Sequence, residues 1–172
     1  MDFSVFSDEH YMKLAYKQAQ LAADLGEIPV GAVIVCGQTI VAKAHNQTET
    51  LQDVTAHAEI LAITAAANYL GAKYLTECSL FVTLEPCAMC AGAIFWSQLD
   101  RLVFGASDPT KGYRNFSRPA GRAGNSSEHR VNSPARGNRH TGLLHPRTEV
   151  VSGLMARQCG KIVEDFFREM RN

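Results

Sequence analysis

No stretch of this 172-residue chain is apolar for long enough to span a bilayer: runs such as Val30 to Cys36 fall far short of the roughly 20 residues required. That excludes a membrane-spanning helix. Neither charge sign is in excess, since 17 Lys and Arg balance 17 Asp and Glu. Taken as a whole, that balance argues against a nucleic-acid partner. The opening residues, Met1 to His10, carry neither a basic n-region nor an apolar h-region, which predicts a cytoplasmic protein without a secretory signal. Cysteine is present but odd in number, at five, so a disulfide framework is not expected and metal ligation or free thiols come forward. Internal repeats are missing, and the length suits one domain. What the chain has in quantity is apolar residues, 46% against 20% charged, enough to build a core and exclude global disorder.

Helical and strand patterns alternate. Ser7 predicts a cap for a helix from about Asp8 to Leu25, stopped at Gly26. Val30 to Cys36 and Thr39 to Ala44 read as a hairpin turned at Gly37-Gln38. Thr55 to Leu70, rich in Ala, Ile and Leu, predicts a second, largely buried helix ending at Gly71. Ser79 to Leu84 and Arg101 to Ala106 read as strands around a helix that Pro86 introduces and that reaches about Ser97. Thr148 to Val151 offers a short fifth strand, and Leu154 to about Met170 a last helix with Ile162, Val163, Phe166 and Phe167 on its apolar side. The alternation predicts an α/β layered domain.

Two of these helix starts are loaded with metal-ligand types. His57-Ala58-Glu59 opens one and Pro86-Cys87-Ala88-Met89-Cys90 the other. Cysteines three apart at a helix start can turn both sulfurs toward one ion, and the positive end of the helix favours thiolate. Three protein ligands, His57, Cys87 and Cys90, would leave the fourth tetrahedral position of a zinc ion open, as catalytic zinc requires. Zinc with an open position brings the pKa of water to about 7. Glu59 is placed to move protons beside it. A structural zinc site would need a fourth ligand, and no second Cys-x-x-Cys supplies one. A thioredoxin-like redox pair would leave His57 and Glu59 without a purpose.

These clusters form the signature of zinc-dependent nucleobase deaminases. Adding Gly26-Glu27-Ile28-Pro29-Val30-Gly31-Ala32-Val33, Val82-Thr83-Leu84-Glu85, Val103-Phe104-Gly105-Ala106 and Asp165-Phe166-Phe167-Arg168, the sequence resembles the tRNA-specific adenosine deaminases of the TadA type. The resemblance implies a cytidine deaminase-like three-layer α/β/α fold around a mixed five-stranded sheet. It implies hydrolytic attack at C6 of the wobble adenosine of a tRNA anticodon, giving inosine, with one zinc ion per subunit in a homodimer. Glu59 would carry a proton to N1 and then to the departing ammonia, and the Cys87 backbone N–H would donate toward the reacting centre. Asn46 matches a base-reading position, and Ala58, Ile28 and Val30 match other substrate-contacting positions. Asp108 matches a residue that touches the neighbouring ribose, although Asp108-Pro109 reads equally well as a turn. Phe167 matches an aromatic lining the substrate, with Phe166 packing inward. Free guanine and cytosine deaminases share the zinc signature and form the alternative; a non-catalytic RNA-binding module is a further rival.

Residues 117–140 break the pattern with Ser, Arg, Gly, Asn and Pro, and Val131 is their only large apolar residue. They read as an insertion in a single domain spanning 1–172, either a flexible RNA-binding arm or a tolerated surface loop. From Lys111 to Arg147 eight basic residues face Glu128 alone, a local +7 that leaves −7 on the rest. The neutral total therefore hides a divided chain, and it no longer argues against RNA.

Overall fold

A computed structural model describes residues 6–116 and 142–171. Helix α1 (Asp8–Asp24) starts where Ser7 Oγ accepts from the His10 backbone N–H at 3.2 Å, satisfying one of its free amides. Strands β1 (Gly31–Cys36) and β2 (Thr39–His45) form the expected hairpin. Helix α2 (Ala58–Leu70), strand β3 (Cys78–Leu84), helix α3 (Ala88–Ser97) and strand β4 (Arg101–Ala106) follow. A 3₁₀ turn (Tyr113–Phe116), strand β5 (Glu149–Ser152) and helix α4 (Ala156–Glu169) complete the described elements. Two helices start later than the sequence pattern indicates, α2 at Ala58 instead of Thr55 and α4 at Ala156 instead of Leu154. Before α2, Asp53 Oδ1 accepts from the Thr55 amide and hydroxyl, so 53–56 turn and His57 stays extended. Before α4, Met155 sits in the left-handed region and cannot be helical.

The sheet order is β2-β1-β3-β4-β5. β1 runs antiparallel to both neighbours, whereas β3, β4 and β5 are parallel. Both faces are covered. Ala32, Ile34, Val82 and Phe104 pack beneath Ala58, Ala62 and Ala66 of α2 and Ala91 and Ile94 of α3. On the other face Val33, Phe81 and Val103 meet Met12 and Ala15 of α1 and Cys159 of α4. Successive strand residues thus point into different cores, the reason β1 is apolar throughout and β3 is polar only at Ser79 and Thr83. This is the mixed five-stranded, three-layer architecture that the resemblance implies. Gly31 is a point of close approach: a β-carbon there would collide with the Ala15 carbonyl and the Ala19 amide and lie 2.7 Å from the Gln18 β-carbon. No helix among the described residues is long and apolar enough to cross a membrane. The arginine-rich segment 117–140, and with it the arm reading, lies outside the described residues.

Candidate active site

Because β1 opposes β3, the start of β1, the end of β2 and the carboxyl ends of β3 and β4 meet at one edge of the sheet. Helices α2 and α3 both begin there. His57 and Cys87 are their N-cap residues, in extended conformation (φ −72° for each), and neither side chain caps its own helix. The two side chains are therefore free to turn toward one another. His57 Nδ1 lies 3.7 Å from Cys87 Sγ and 3.5 Å from Cys90 Sγ, and the three ligand atoms fall within 4.8 Å of one another. Among the described residues this is the only group of three or more His, Cys, Asp or Glu residues so placed.

The electrostatics suit a cation. Hydrogen bonding from Cys90, opposed by burial and assisted by His57, brings Cys87 down to about 4, a thiolate at neutral pH. The bond with Cys87 raises His57 despite its burial. Cys90 is pushed up by its bond to Cys87 and by burial. One imidazole nitrogen and two sulfurs, one already anionic, make a donor set that fits a tetrahedral soft or borderline metal with one position to spare. Glu59, on the first turn of α2, is 3% exposed, and burial pushes its carboxyl up to about 7.

A cleft of about 640 Å³ opens over this group. Ile28, Val30 and Asn46 form one side, Ala106, Ser107 and Asp108 another, and Val163 and Phe167 of α4 a third, with His57, Glu59 and Cys87 also lining it. Of the sequence-derived site residues only Ala58 and Cys90 do not line the cleft. Cys90 is buried beneath it, and the Ala58 side chain is packed in the core under α2. Phe167 faces the cleft while Phe166 stacks edge-on against it, ring centroids 5.6 Å apart. Asp108 serves the turn as well as lining the cleft: its Oδ1 accepts from Thr110 N, Thr110 Oγ1 and Lys111 N.

Two acidic residues that the sequence reading did not single out hold the walls. Glu27 is fully buried and accepts from Asn46 Nδ2 (3.3 Å), Thr48 Oγ1 (3.3 Å), Glu49 N (3.2 Å) and Thr50 N (2.7 Å). Burial would raise its carboxyl, yet these bonds outweigh it and hold the group below its ordinary value. A carboxylate only accepts, so the Asn46 amide must turn its NH₂ toward Glu27. Glu85, its side chain 2% exposed, accepts from Arg114 Nε (3.0 Å) and Nη2 (2.8 Å), and from the amides of Asp108 and Arg114. It ties the end of β3, beside Cys87, to the rim at 107–114.

The MafB19-like deaminase family matches residues 6–171. A tRNA-specific adenosine deaminase of Bacillus subtilis is 44% identical over 165 residues, 95% of this chain and 91% of the relative. A solved structure from work on A-to-I editing by tRNA:A34 deaminases at the wobble position is 37% identical, with a TM-score of 0.71 over 89% of this chain and 98% of its own. A guanine deaminase structure from Bacillus subtilis is less similar, 32% identical with a TM-score of 0.58 over 76% of this chain and 87% of its own. With a family match over nearly the whole chain and relatives at 44% and 37% identity over most of both lengths, the chain belongs to the MafB19-like deaminases and to the tRNA-specific adenosine deaminases.

Proposed function

We propose that this protein hydrolytically deaminates the wobble adenosine of a tRNA anticodon to inosine, with zinc held by His57, Cys87 and Cys90. The observation that carries the reading is one cleft that joins His57 and Cys87 to a buried, protonatable Glu59 and to an amide, Asn46, locked by Glu27. His57, Cys87 and Cys90 would hold the zinc ion, which when bound would lower the pKa of water to about 7. Glu59, with its carboxyl near 7, accepts a proton there, delivers it to N1 of the purine and returns it to the departing amino group, which leaves as ammonia. Asn46 has both N–H bonds engaged with Glu27 and Thr48, so its carbonyl oxygen is the group it offers to a base. Ile28, Val30 and Phe167 enclose the base, and Asp108 contacts the adjoining nucleotide. An anticodon loop base is poorly stacked, so extruding it into the cleft costs little.

The protein acts as a cytoplasmic homodimer in this reading, supported by large apolar side chains left on α2 and α3, where Tyr69 is 67% and Trp96 77% exposed. The purified protein is tested on an anticodon stem-loop, on free guanine and on free cytosine, with Glu59→Gln as control. Inosine in the stem-loop, a 10²–10⁴-fold fall in Glu59→Gln, and loss on chelation with recovery on added zinc are expected. A stem-loop left intact while a free base is consumed would overturn the reading in favour of a free-base deaminase.

A further inference from the structure

Of the five cysteines, Cys87 and Cys90 belong to the metal-ligand group, and Cys159 is buried against Gly105, which holds it up to about 11. Cys36 and Cys78 remain, and the sheet places them together. Cys36 is the last residue of β1 and Cys78 the first of β3, and the antiparallel register pairs them directly. Facing residues of an antiparallel pair have Cα atoms about 4.5 or 5.5 Å apart, and either spacing falls in the range about 4.4–6.8 Å that a disulfide spans. Their side chains share a face as well as a rung, since both pack on the core beneath α2 and α3. Burial first, and then the neighbouring Cys36 thiol, pushes Cys78 up to about 12.

The two differ in access. Cys78 is fully buried, while Cys36 is only partly buried beside the Gly37-Gln38 turn. The pair stands at the end of the sheet opposite the cleft, because β1 begins and β3 ends at the cleft edge. We propose that Cys36 and Cys78 form a modification site, a dithiol that hydrogen peroxide converts to an intramolecular cross-strand disulfide. Peroxide transfers one oxygen to the Cys36 sulfur; the O–O bond breaks, the thiol becomes a sulfenic acid and one water leaves. The Cys78 sulfur then displaces the sulfenic hydroxyl, forming the S–S bond, and its proton departs with that hydroxyl as a second water. Two thiols are oxidised and one peroxide is reduced to two waters. In a reducing compartment the resting pair is the dithiol, and the disulfide persists only while oxidant is supplied.

The full-length protein is treated with an equivalent of hydrogen peroxide, alkylated and digested without reduction. A peptide pair linking Cys36 to Cys78, lighter by two hydrogens and released by dithiothreitol, is expected. Cys36→Ser and Cys78→Ala, each confirmed as folded by circular dichroism, should both lose that species, and in Cys36→Ser the buried Cys78 should remain a thiol. The proposal is overturned if wild-type Cys36 advances to sulfinic acid while Cys78 still alkylates after unfolding. It is equally overturned if both remain thiols at a peroxide dose that has already joined Cys87 to Cys90.

Discussion

Glu27→Gln removes one charge and changes no volume, yet the structure gives it a definite cost. The carboxylate accepts four hydrogen bonds from residues 46–50, the shortest from the Thr50 amide at 2.7 Å. The least damaging glutamine rotamer keeps its carbonyl where Oε2 now accepts three of them and turns its NH₂ against Thr50 N–H. That loses one charge-assisted bond, about 1.5–3 kcal/mol when buried, and weakens the other three to neutral strength. Water can reach the exposed side of Thr50, so the lower part of the range applies and the total is about 2–3 kcal/mol. For a chain of this length that lowers the melting temperature by about 5–10 °C. The sign with pH follows from the shift. Glu27 is held below its ordinary value of 4.5, so its contribution is complete above that value and is lost as pH falls through the folded-state value. Urea unfolding at 25 °C should therefore show wild type and Glu27→Gln well separated at pH 7 and converging in acid. A difference under about 0.5 kcal/mol at pH 7, or a gap that stays constant into acid, would refute the argument.

Two other substitutions test the remaining contacts. Arg114→Ala leaves the Glu85 carboxylate buried without its guanidinium and strips a cation from the Phe104 ring; because the arginine is partly exposed, a loss of about 1–3 kcal/mol is expected. Steady-state kinetics should show a raised KM for the stem-loop with zinc stoichiometry unchanged, and concurrent loss of metal would count against a role confined to the rim. Gly31→Ala must part α1 from β1, because the obstructing atoms are backbone, and thermal melting should register a loss of about 1–3 kcal/mol or more. An alanine variant as stable as wild type would mean that this contact is not tight.

Strand β4 was fully legible, Arg101 to Ala106, because the short apolar run Leu102-Val103-Phe104 lies between polar flanks and is too short for a helix. The metal triad was legible too, since Cys-x-x-Cys at a helix start and His-x-Glu at another are local patterns with local geometry. The start of α2 was not. Thr55, Ala56 and His57 all accept helical conformation, and only the Asp53 turn, which fixes His57 as an extended N-cap, decides against it. Glu27 and Glu85 were the hardest to see as site residues. Each is an acid beside a strand, which ordinarily means solvent, and their partners lie 19 to 29 residues away in sequence. Burial of a carboxylate becomes favourable only when the fold delivers enough donors to it, and no local pattern announces that.

The order of the elements along the chain has a consequence for how the protein is made. Everything needed to grip a metal, His57, Cys87 and Cys90, belongs to the first part of the chain, whereas one wall of the cleft, Val163 and Phe167, belongs to the last helix. A chain emerging from the ribosome therefore holds all three ligands before α4 exists. The candidate ligand group and the cleft are thus synthesised in that order, and a protein cut short ahead of α4 lacks the third wall of the cleft.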